Sequence, residues 1–185
     1  MKKLPTTNYP LPTNQGFTLI ETFVAIVILT TAIAGPLTLA QRSLASAIYS
    51  RDQITAFYFA QEAIEFVKNT RDENNIKGLA WLSGLQNCLS PNNCGIDATA
   101  SNRDPKIIAC PDTNSCLLGF KTDLYGYRTD WSKSNFTRIV KITPLPIGTD
   151  PNLANEALVS VTMSWRTGTI SKDFTINDYI YNWHK

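Results

Sequence analysis

One apolar run limits what this chain can fold into. In residues 17–40, a stretch of 24 residues, Glu21 is the only charged residue. An α-helix rises about 1.5 Å per residue, so the stretch reaches roughly 36 Å, enough to cross the hydrocarbon core of a bilayer, which is about 30 Å thick. Near its far end, Gly35 and Pro36 predict a bend or a loosened turn, because proline lacks an N–H donor and clashes with the preceding turn. The sequence therefore predicts a membrane-spanning helix that contains one carboxylate.

Length and charge set the class of protein. The 185 residues suffice for one globular domain and a membrane segment but are few for two full domains. Lys and Arg number 17 against 15 Asp and Glu, and two of the cations, Lys2 and Lys3, lie at the extreme N-terminus. Charges this balanced carry no electrostatic signature of nucleic-acid binding. We therefore expect one globular domain, residues 41–185, and no specific nucleic-acid partner.

Two ordinary kinds of N-terminal segment could explain residues 1–40. A secretory signal peptide has a basic start, an apolar centre and a small-residue cleavage site, which "AIA" at residues 32–34 would supply. Glu21 in the apolar centre and Pro36 just past the cut speak against it. The other kind is an uncleaved single-span anchor with its basic N-terminus in the cytoplasm, although Arg42 on the far side weakens that topology.

A third interpretation places the cut before the apolar run. The polar leader, residues 1–16, stops abruptly at Gly16, and the chain continues as "GFTLIE", Gly16 to Glu21. This stretch resembles the cleavage signal of type IV pilins and pseudopilins residue by residue. The resemblance implies that prepilin peptidase cuts between Gly16 and Phe17, that Phe17 is then N-methylated, and that residues 17–40 form the core of a filament. It also implies three partners: other pilin subunits, the peptidase and an inner-membrane assembly machinery.

The carboxylate of Glu21 needs a partner if it lies at membrane depth. Placing an acid there costs about 2 to 4 kcal/mol even on lenient insertion scales. Cleavage would create a partner, because the freed α-amino group of Phe17, with an ordinary pKa near 8, is largely cationic at neutral pH and lies one helical turn away. We therefore expect Glu21 to act in assembly by pairing with the Phe17 amine of its own or a neighbouring subunit. The alternative is a tolerated side chain that reaches the membrane interface.

The next two segments differ in periodicity. Residues 41–75 have apolar side chains at spacings of three and four among charged ones, which predicts an amphipathic helix that continues the first one. Its buried stripe is expected to contain Leu44, Ile48, Phe57, Ala60, Ile64 and Val67. Residues 76–118 are rich in Pro, Asn, Asp and Ser and are predicted to form a loop region.

All four cysteines lie in that loop region. Cys88 and Cys94 are six residues apart in "CLSPNNC", and Cys110 and Cys116 repeat the spacing in "CPDTNSC". Four cysteines allow three pairings, and the sequence alone does not choose among them. We favour the two local disulfides, each worth roughly 2 kcal/mol, because the interiors of both loops are similarly rich in turn residues. A zinc site is the alternative, but this spacing is not the usual ligand turn and exported chains favour disulfides.

From residue 119 onward the period of the apolar residues changes to two, which predicts strands. Four segments show it: "LYGYRTDW", "FTRIVKI", "LVSVTMSW" and "ISKDFTI". The third is expected to place Val159, Val161, Met163 and Trp165 on one apolar face, and the fourth supplies Ile170, Phe174 and Ile176. Turn residues between them favour an antiparallel meander. The predicted fold class is α+β, with a long N-terminal helix whose second half packs on an antiparallel sheet of about four strands in residues 119–185. This is also the pilin-like architecture that the resemblance implies.

The chain closes on a segment dense in aromatics, "NDYIYNWHK", residues 177–185. Either this tail docks and completes the domain, or it forms a contact surface for another subunit. Together with the preceding strand and hairpin, "DYIYNW" looks like the minor pilins described as type IV pilus modification proteins.

The sequence contains no enzyme signature: no G-x-S-x-G, no P-loop and no H-E-x-x-H, and its one histidine, His184, is the penultimate residue. Glu62 and Glu65 lie on the amphipathic helix and are expected to be solvated. "NFT" at Asn135 is a formal glycosylation sequon, but a pattern this short arises by chance. We expect no catalysis, no metal and no cofactor.

These patterns together predict a minor pilin-like structural subunit. It would be a single-pass membrane protein in contact with lipid, with its N-terminus in the cytoplasm, and would then enter an extracellular or periplasmic filament. A pseudopilin of a type II secretion system is the alternative within the same machinery. A secreted or membrane-anchored binding domain with an ordinary signal sequence is the alternative of another class.

Overall fold

The structure, a computed structural model, describes residues 16–100, 106–146, 150–151, 153–168 and 170–183. It contains one long helix, α1, and an antiparallel sheet, so the predicted α+β class is confirmed. The chain divides after Ser46 into two compact units, and the described sheet belongs to the second unit.

Helix α1 spans Leu19–Ile76 and ends at a glycine. Gly78 has a φ of +68°, and its N–H donates to the Asn75 carbonyl at 3.2 Å. The N–H of Leu79 donates to the Asn74 carbonyl at 2.9 Å. These two bonds form a Schellman motif, in which a left-handed residue, adopted by glycine without strain, closes the last turn. Gly78 therefore ends the helix at a defined place, directly after the polar stretch that precedes it.

Within the second unit, the buried face of α1 is built largely on alanine. Ala56, Ala60 and Ala63 are fully buried, and Val67 follows on the same face at a spacing of four. A side chain of one methyl group lets another backbone approach the helix axis closely. The sheet can therefore pack against this face at short range.

The predicted stripe on the second half of α1 is right in part. Its buried members are Ala60, Ile64 and Val67. Leu44 and Phe57 are instead 64% and 47% exposed. Leu44 belongs to the first unit, where no described residue is buried. Phe57 directly follows the buried Ala56, so the helical rotation of about 100° per residue carries it to the margin of the buried face.

The sheet has seven strands, so the prediction of about four was wrong. They are β1 (Cys94–Ile96), β2 (Ile107–Ala109), β3 (Leu117–Lys121), β4 (Leu124–Gly126), β5 (Ser132–Leu145), β6 (Glu156–Thr167) and β7 (Ile170–Tyr181). Strand β5 is central: β6 and then β7 pair on one side, whereas β1 and β3 pair on the other, with β2 and β4 beyond them. Every pairing between these strands is antiparallel.

The additional strands lie within or beside the region predicted to be a loop. Strands β1 and β2 have three residues each, too few for an alternating pattern to show. They form because longer strands offer partners: Cys94 of β1 pairs with Val140, and Leu117 of β3 pairs with Thr137. The predicted strand "LYGYRTDW" is extended only at β4, and residues 127–131 are irregular. Strands that show no alternating pattern in the sequence therefore form because they pair with strands distant in the chain.

Strands β5, β6 and β7 form an antiparallel meander and supply nine of the buried core residues. On β6 the alternating residues of the predicted apolar face, Val159, Val161, Met163 and Trp165, are all buried. Strand β7 pairs only with β6 and is an edge strand. Its predicted apolar residue Ile170 is 58% exposed, because an edge strand is covered less than a central one.

A buried arginine connects the helix to the sheet. Arg138 of β5 is 1% exposed, and its guanidinium donates to the Phe59 carbonyl at 2.9 Å, to the Glu62 carboxylate at 3.0 Å and to the Ile96 carbonyl. The Arg138 carbonyl accepts a hydrogen bond from the Tyr127 hydroxyl at 3.1 Å. A charge at this depth is stable only where protein oxygens replace water. Glu62, expected to be solvated, is therefore a structural partner that fixes α1 on the sheet.

Replacing Arg138 by alanine is expected to destabilise the second unit by about 3 to 5 kcal/mol, because it leaves a cavity and deprives Glu62 of its cation. Urea unfolding of the full chain in mild detergent, followed by tryptophan fluorescence, measures this. Glu62→Gln should cost about 1 to 3 kcal/mol. The matched control is Glu65→Gln on the same helix, whose ion pair with Lys68 lies at the surface and should be worth less than about 1 kcal/mol. Equal effects of the two glutamine substitutions would contradict the role of Glu62.

Candidate functional site

The bond that the sequence predicts to be cut lies just outside the helix. Gly16, Phe17 and Thr18 are not helical, and α1 begins at Leu19. Phe17 is 79% exposed, and a side-chain carbon placed on Gly16 would have no atom of the described residues within 4 Å. The Gly16–Phe17 bond is therefore accessible from solvent.

Glu21 lies in the first turn of α1. Its N–H donates to Oγ1 of Thr18 at 3.3 Å, and the N–H of Thr22 donates to the Thr18 carbonyl at 3.1 Å. Thr18 is therefore the N-cap of the helix. The sequence analysis missed this residue, although the spacing Thr-x-x-Glu is the pattern of a capping box. Because the unpaired N–H groups at a helix start carry partial positive charge, a carboxylate is stabilised at this end.

The first unit presents an uncovered apolar surface. Every residue described in it is exposed. In residues 17–40, twelve large apolar side chains are between 45% and 86% exposed. The mean hydropathy reaches 2.2 over an 18-residue window of α1, so the helix is long and apolar enough to cross a membrane. A helix that is apolar on all sides needs lipid or protein around it.

Four threonines of this stretch donate their hydroxyl hydrogens within the helix. Thr22, Thr30, Thr31 and Thr38 each donate to a backbone carbonyl three or four residues earlier, at 2.8 to 3.0 Å. Since polar groups are costly in an apolar medium unless they are bonded internally, these threonine hydroxyls are compatible with apolar surroundings.

Helix α1 also continues through Pro36, where the sequence predicts a bend or a loosened turn.

The four cysteines form two disulfides in the second unit, Cys88–Cys94 and Cys110–Cys116. This is the local pairing that the sequence analysis favours. All four are at most 4% exposed. Cys88 ends the 3-10 turn Gln86–Cys88 and Cys94 opens β1, so the first bridge fastens that strand to the turn before it. The zinc alternative would require these bridges to be reduced.

The aromatic tail is partly docked and partly exposed. Ile180 is fully buried, whereas Tyr179, Tyr181 and Trp183 are 53% to 56% exposed. The Nε1–H of Trp183 donates to the Asp72 carboxylate of α1 at 3.0 Å. Ile180 therefore completes the core, as a docked tail would, whereas the exposed aromatic side chains face outward. A contact of these side chains with another subunit stays a prediction.

Two charged groups of α1, Asp72 and Lys68, have shifted pKa values. The hydrogen bonds from Arg71, at 2.8 Å, and from Trp183 hold the pKa of the Asp72 carboxyl below its usual range. The hydrogen bond to Asp178, at 2.8 Å, raises the pKa of Lys68. Both shifts favour the charged forms, so these side chains tie α1 to β7 and the tail.

Two residues singled out in the sequence remain, Asn135 and His184. Asn135 uses its side-chain amide to donate to the Arg166 carbonyl at 3.1 Å, joining β5 to β6. His184 lies outside the described residues. In the part of the chain that the structure describes, no group of three or more His, Cys, Asp or Glu side chains could hold a metal ion.

Three features meet in one short stretch of the first unit: an accessible Gly16–Phe17 bond, the first-turn carboxylate of Glu21, and the apolar helix that follows. The cysteines belong to the other unit. No family model, curated protein or solved structure matches the chain. Its function must follow from the chemistry of its own residues.

The stability that Asp72 contributes is expected to disappear in acid. Its folded pKa lies below the ordinary value of 3.8, so the contribution is present above that value and is lost as the pH falls through the folded pKa. The Asp72 side chain is 42% exposed, so Asp72→Asn should cost only about 0.5 kcal/mol at about pH 6 and almost nothing at about pH 2. Unfolding midpoints of both proteins across this range measure the difference. A difference that does not change with pH would contradict the assignment.

Proposed function

We propose that the chain is a minor pilin-like structural subunit. Prepilin peptidase would cut it between Gly16 and Phe17, and residues 17–40 would then assemble into a type IV pilus or a related filament. The observation that carries the proposal is the uncovered apolar helix, which begins two residues after an accessible glycine bond and has a carboxylate in its first turn. A simple anchor would use the apolar helix but would give no role to the other two features.

Cleavage would change the electrostatics at the start of α1. In the uncut chain the nitrogen of Phe17 is a neutral amide, whereas in the cut chain it is a cationic amine near the Glu21 carboxylate. N-methylation of Phe17 would keep that charge. Opposite charges attract strongly where water is scarce. The Glu21 carboxylate could then pair with the amine of its own subunit or with that of a subunit already in the filament.

The two units suit two surroundings. Before assembly, α1 would cross the inner membrane with its N-terminus in the cytoplasm, and the second unit would lie outside the cytoplasm. The two buried disulfides support that location, because disulfides persist in oxidising compartments. During assembly the inner-membrane machinery would exchange the lipid around residues 17–40 for equivalent helices of other subunits. The exposed aromatic residues of the tail support a specialised role, since such residues favour protein contacts.

The apolar helix by itself also supports two other functions. A pseudopilin of a type II secretion system would need the same cleavage signal and the same helix. A secreted or anchored binding domain would need only an apolar N-terminal segment.

The mass of the mature protein, purified from its own membranes or filaments, tests the proposal. A chain that begins at methylated Phe17 is the expected result. A chain that begins at Gly35 would indicate an ordinary signal peptide, and an intact Met1 would indicate an uncleaved anchor. Either of the latter two results would overturn the proposal.

Glu21→Gln is expected to leave cleavage unchanged and to lower incorporation into filaments at least about tenfold, the factor that corresponds to about 1.4 kcal/mol of lost ion pairing. The measurement is the ratio of the subunit in sheared filaments to that in membranes. Glu65→Gln is the matched control, because Glu65 is an exposed carboxylate of the second unit. Normal incorporation of the Glu21 variant would show that its charge has no role in assembly.

A further inference from the structure

The residue that starts α1 lies between the proposed cleavage site and Glu21. The Thr18 carbonyl accepts the N–H of Thr22 at 3.1 Å, which is the first hydrogen bond of the helix. The Thr18 hydroxyl oxygen accepts the N–H of Glu21 at 3.3 Å. A residue whose carbonyl enters the helix while its side chain caps it is an N-cap. Gly16 and Phe17 are thereby left outside the helix.

We propose that Thr18 and Glu21 form a capping box that positions the Gly16–Phe17 bond for the peptidase by fixing the start of the helix beyond it. This inference rests on the proposed function. In a capping box, the first residue caps the N–H of the fourth, and the carboxylate of the fourth reaches back to the N–H of the first. The 3.3 Å bond is the first of these two. The second needs only a turn of the exposed Glu21 side chain. Thr18 acts as a positioning residue, since it carries neither side of the cut bond.

The start of a helix matters to cleavage because a peptidase must reach both faces of the bond. Inside a helix the carbonyl is already bonded to an N–H four residues later, so it cannot turn toward catalytic donors. In apolar surroundings a helix gains by extending toward its N-terminus, since each unpaired backbone group is costly there. A capping box satisfies those donors and removes the gain. Gly16, a poor helix former, opposes extension as well.

The capping box gives Glu21 two separable roles. Assembly would use the negative charge of the side chain, whereas the cap needs only a side-chain oxygen, which glutamine also has. Glu21→Gln therefore keeps both bonds of the box and loses the charge. Glu21→Leu loses the charge and the second bond, although its backbone N–H can still donate to Thr18. Cleavage and assembly should respond differently to these two substitutions.

Cleavage of the full-length precursor by prepilin peptidase in detergent micelles tests the proposal. Thr18→Val keeps the shape of the side chain but removes its oxygen, whereas Thr18→Asn changes the shape and remains a good cap. We expect kcat/KM to fall about fivefold for Thr18→Val, the factor by which a lost N-cap shifts such an equilibrium, and by about twofold to fivefold for Glu21→Leu, which keeps the Thr18 cap. For Thr18→Asn and Glu21→Gln it should stay within about twofold. The Cα chemical shift of Phe17 should move toward helical values in Thr18→Val and Glu21→Leu but not in Thr18→Asn or Glu21→Gln.

The opposite pattern, with Thr18→Val cut normally and Thr18→Asn cut slowly, would mean that the peptidase reads the shape of residue 18, and it would overturn the capping box. Equal cleavage of all four variants would overturn it too. In both cases a wild-type chain cut after Gly16 would leave the proposed function standing. A wild-type chain that is not cut there would overturn the proposed function along with the positioning role.

Discussion

The stability of the second unit depends on one buried guanidinium, which must be hydrogen-bonded by protein oxygen atoms because water does not reach it. Arg138 is buried between α1, β1 and β5, and an unpaired charge at that depth costs several kcal/mol, a large share of the roughly 5 to 15 kcal/mol by which a domain is stable. A shift of α1 along the sheet by one turn would remove the Phe59 carbonyl and the Glu62 carboxylate from Arg138. Apolar contacts alone would tolerate that shift better, because hydrophobic burial has no direction. The alanines of α1 allow close packing, and Arg138 sets its register.

The difference between local patterns and contacts distant in the chain explains which parts of the fold could be predicted from the sequence. Strand β6 alternates buried and half-buried residues over most of its length, so its period shows in any window. Strand β1 has three residues and exists because β5 and β2 offer it partners, and no local pattern records those partners. Alanine carries little weight in a hydrophobic pattern, so the face centred on Ala56 and Ala60 was assigned partly to Phe57, which lies at its margin. Local periodicity was sufficient where an element is long, and tertiary contacts decided the rest.

The candidate site divides in the same way. Gly16, Phe17 and Glu21 are neighbours in the chain, and the start of a helix is a local event, so a sequence pattern can describe them. Thr18 could have been found from its spacing to Glu21, because a cap bond spans three residues. The partnership of Glu62 with Arg138 spans 76 residues. Glu62 and Glu65 look alike in the sequence. Only the contact of α1 with β5 distinguishes Glu62, the half-buried partner of Arg138, from Glu65 at the surface.

The first unit, in contrast, leaves its apolar side chains exposed, and the size of that surface indicates which surroundings it favours. Twelve large apolar side chains left mostly uncovered represent on the order of 10 kcal/mol in water, as much as the stability of a whole domain. Residues 17–40 therefore favour lipid or protein surroundings over water. Lipid tails and the faces of apolar helices are about equally apolar, so burial alone favours neither a membrane nor a filament. The balance between them must come from smaller and more specific terms. Glu21 is the only charge in the stretch, so in the proposed function the charge gained by the freed Phe17 amine would be the term best able to favour a filament over the membrane.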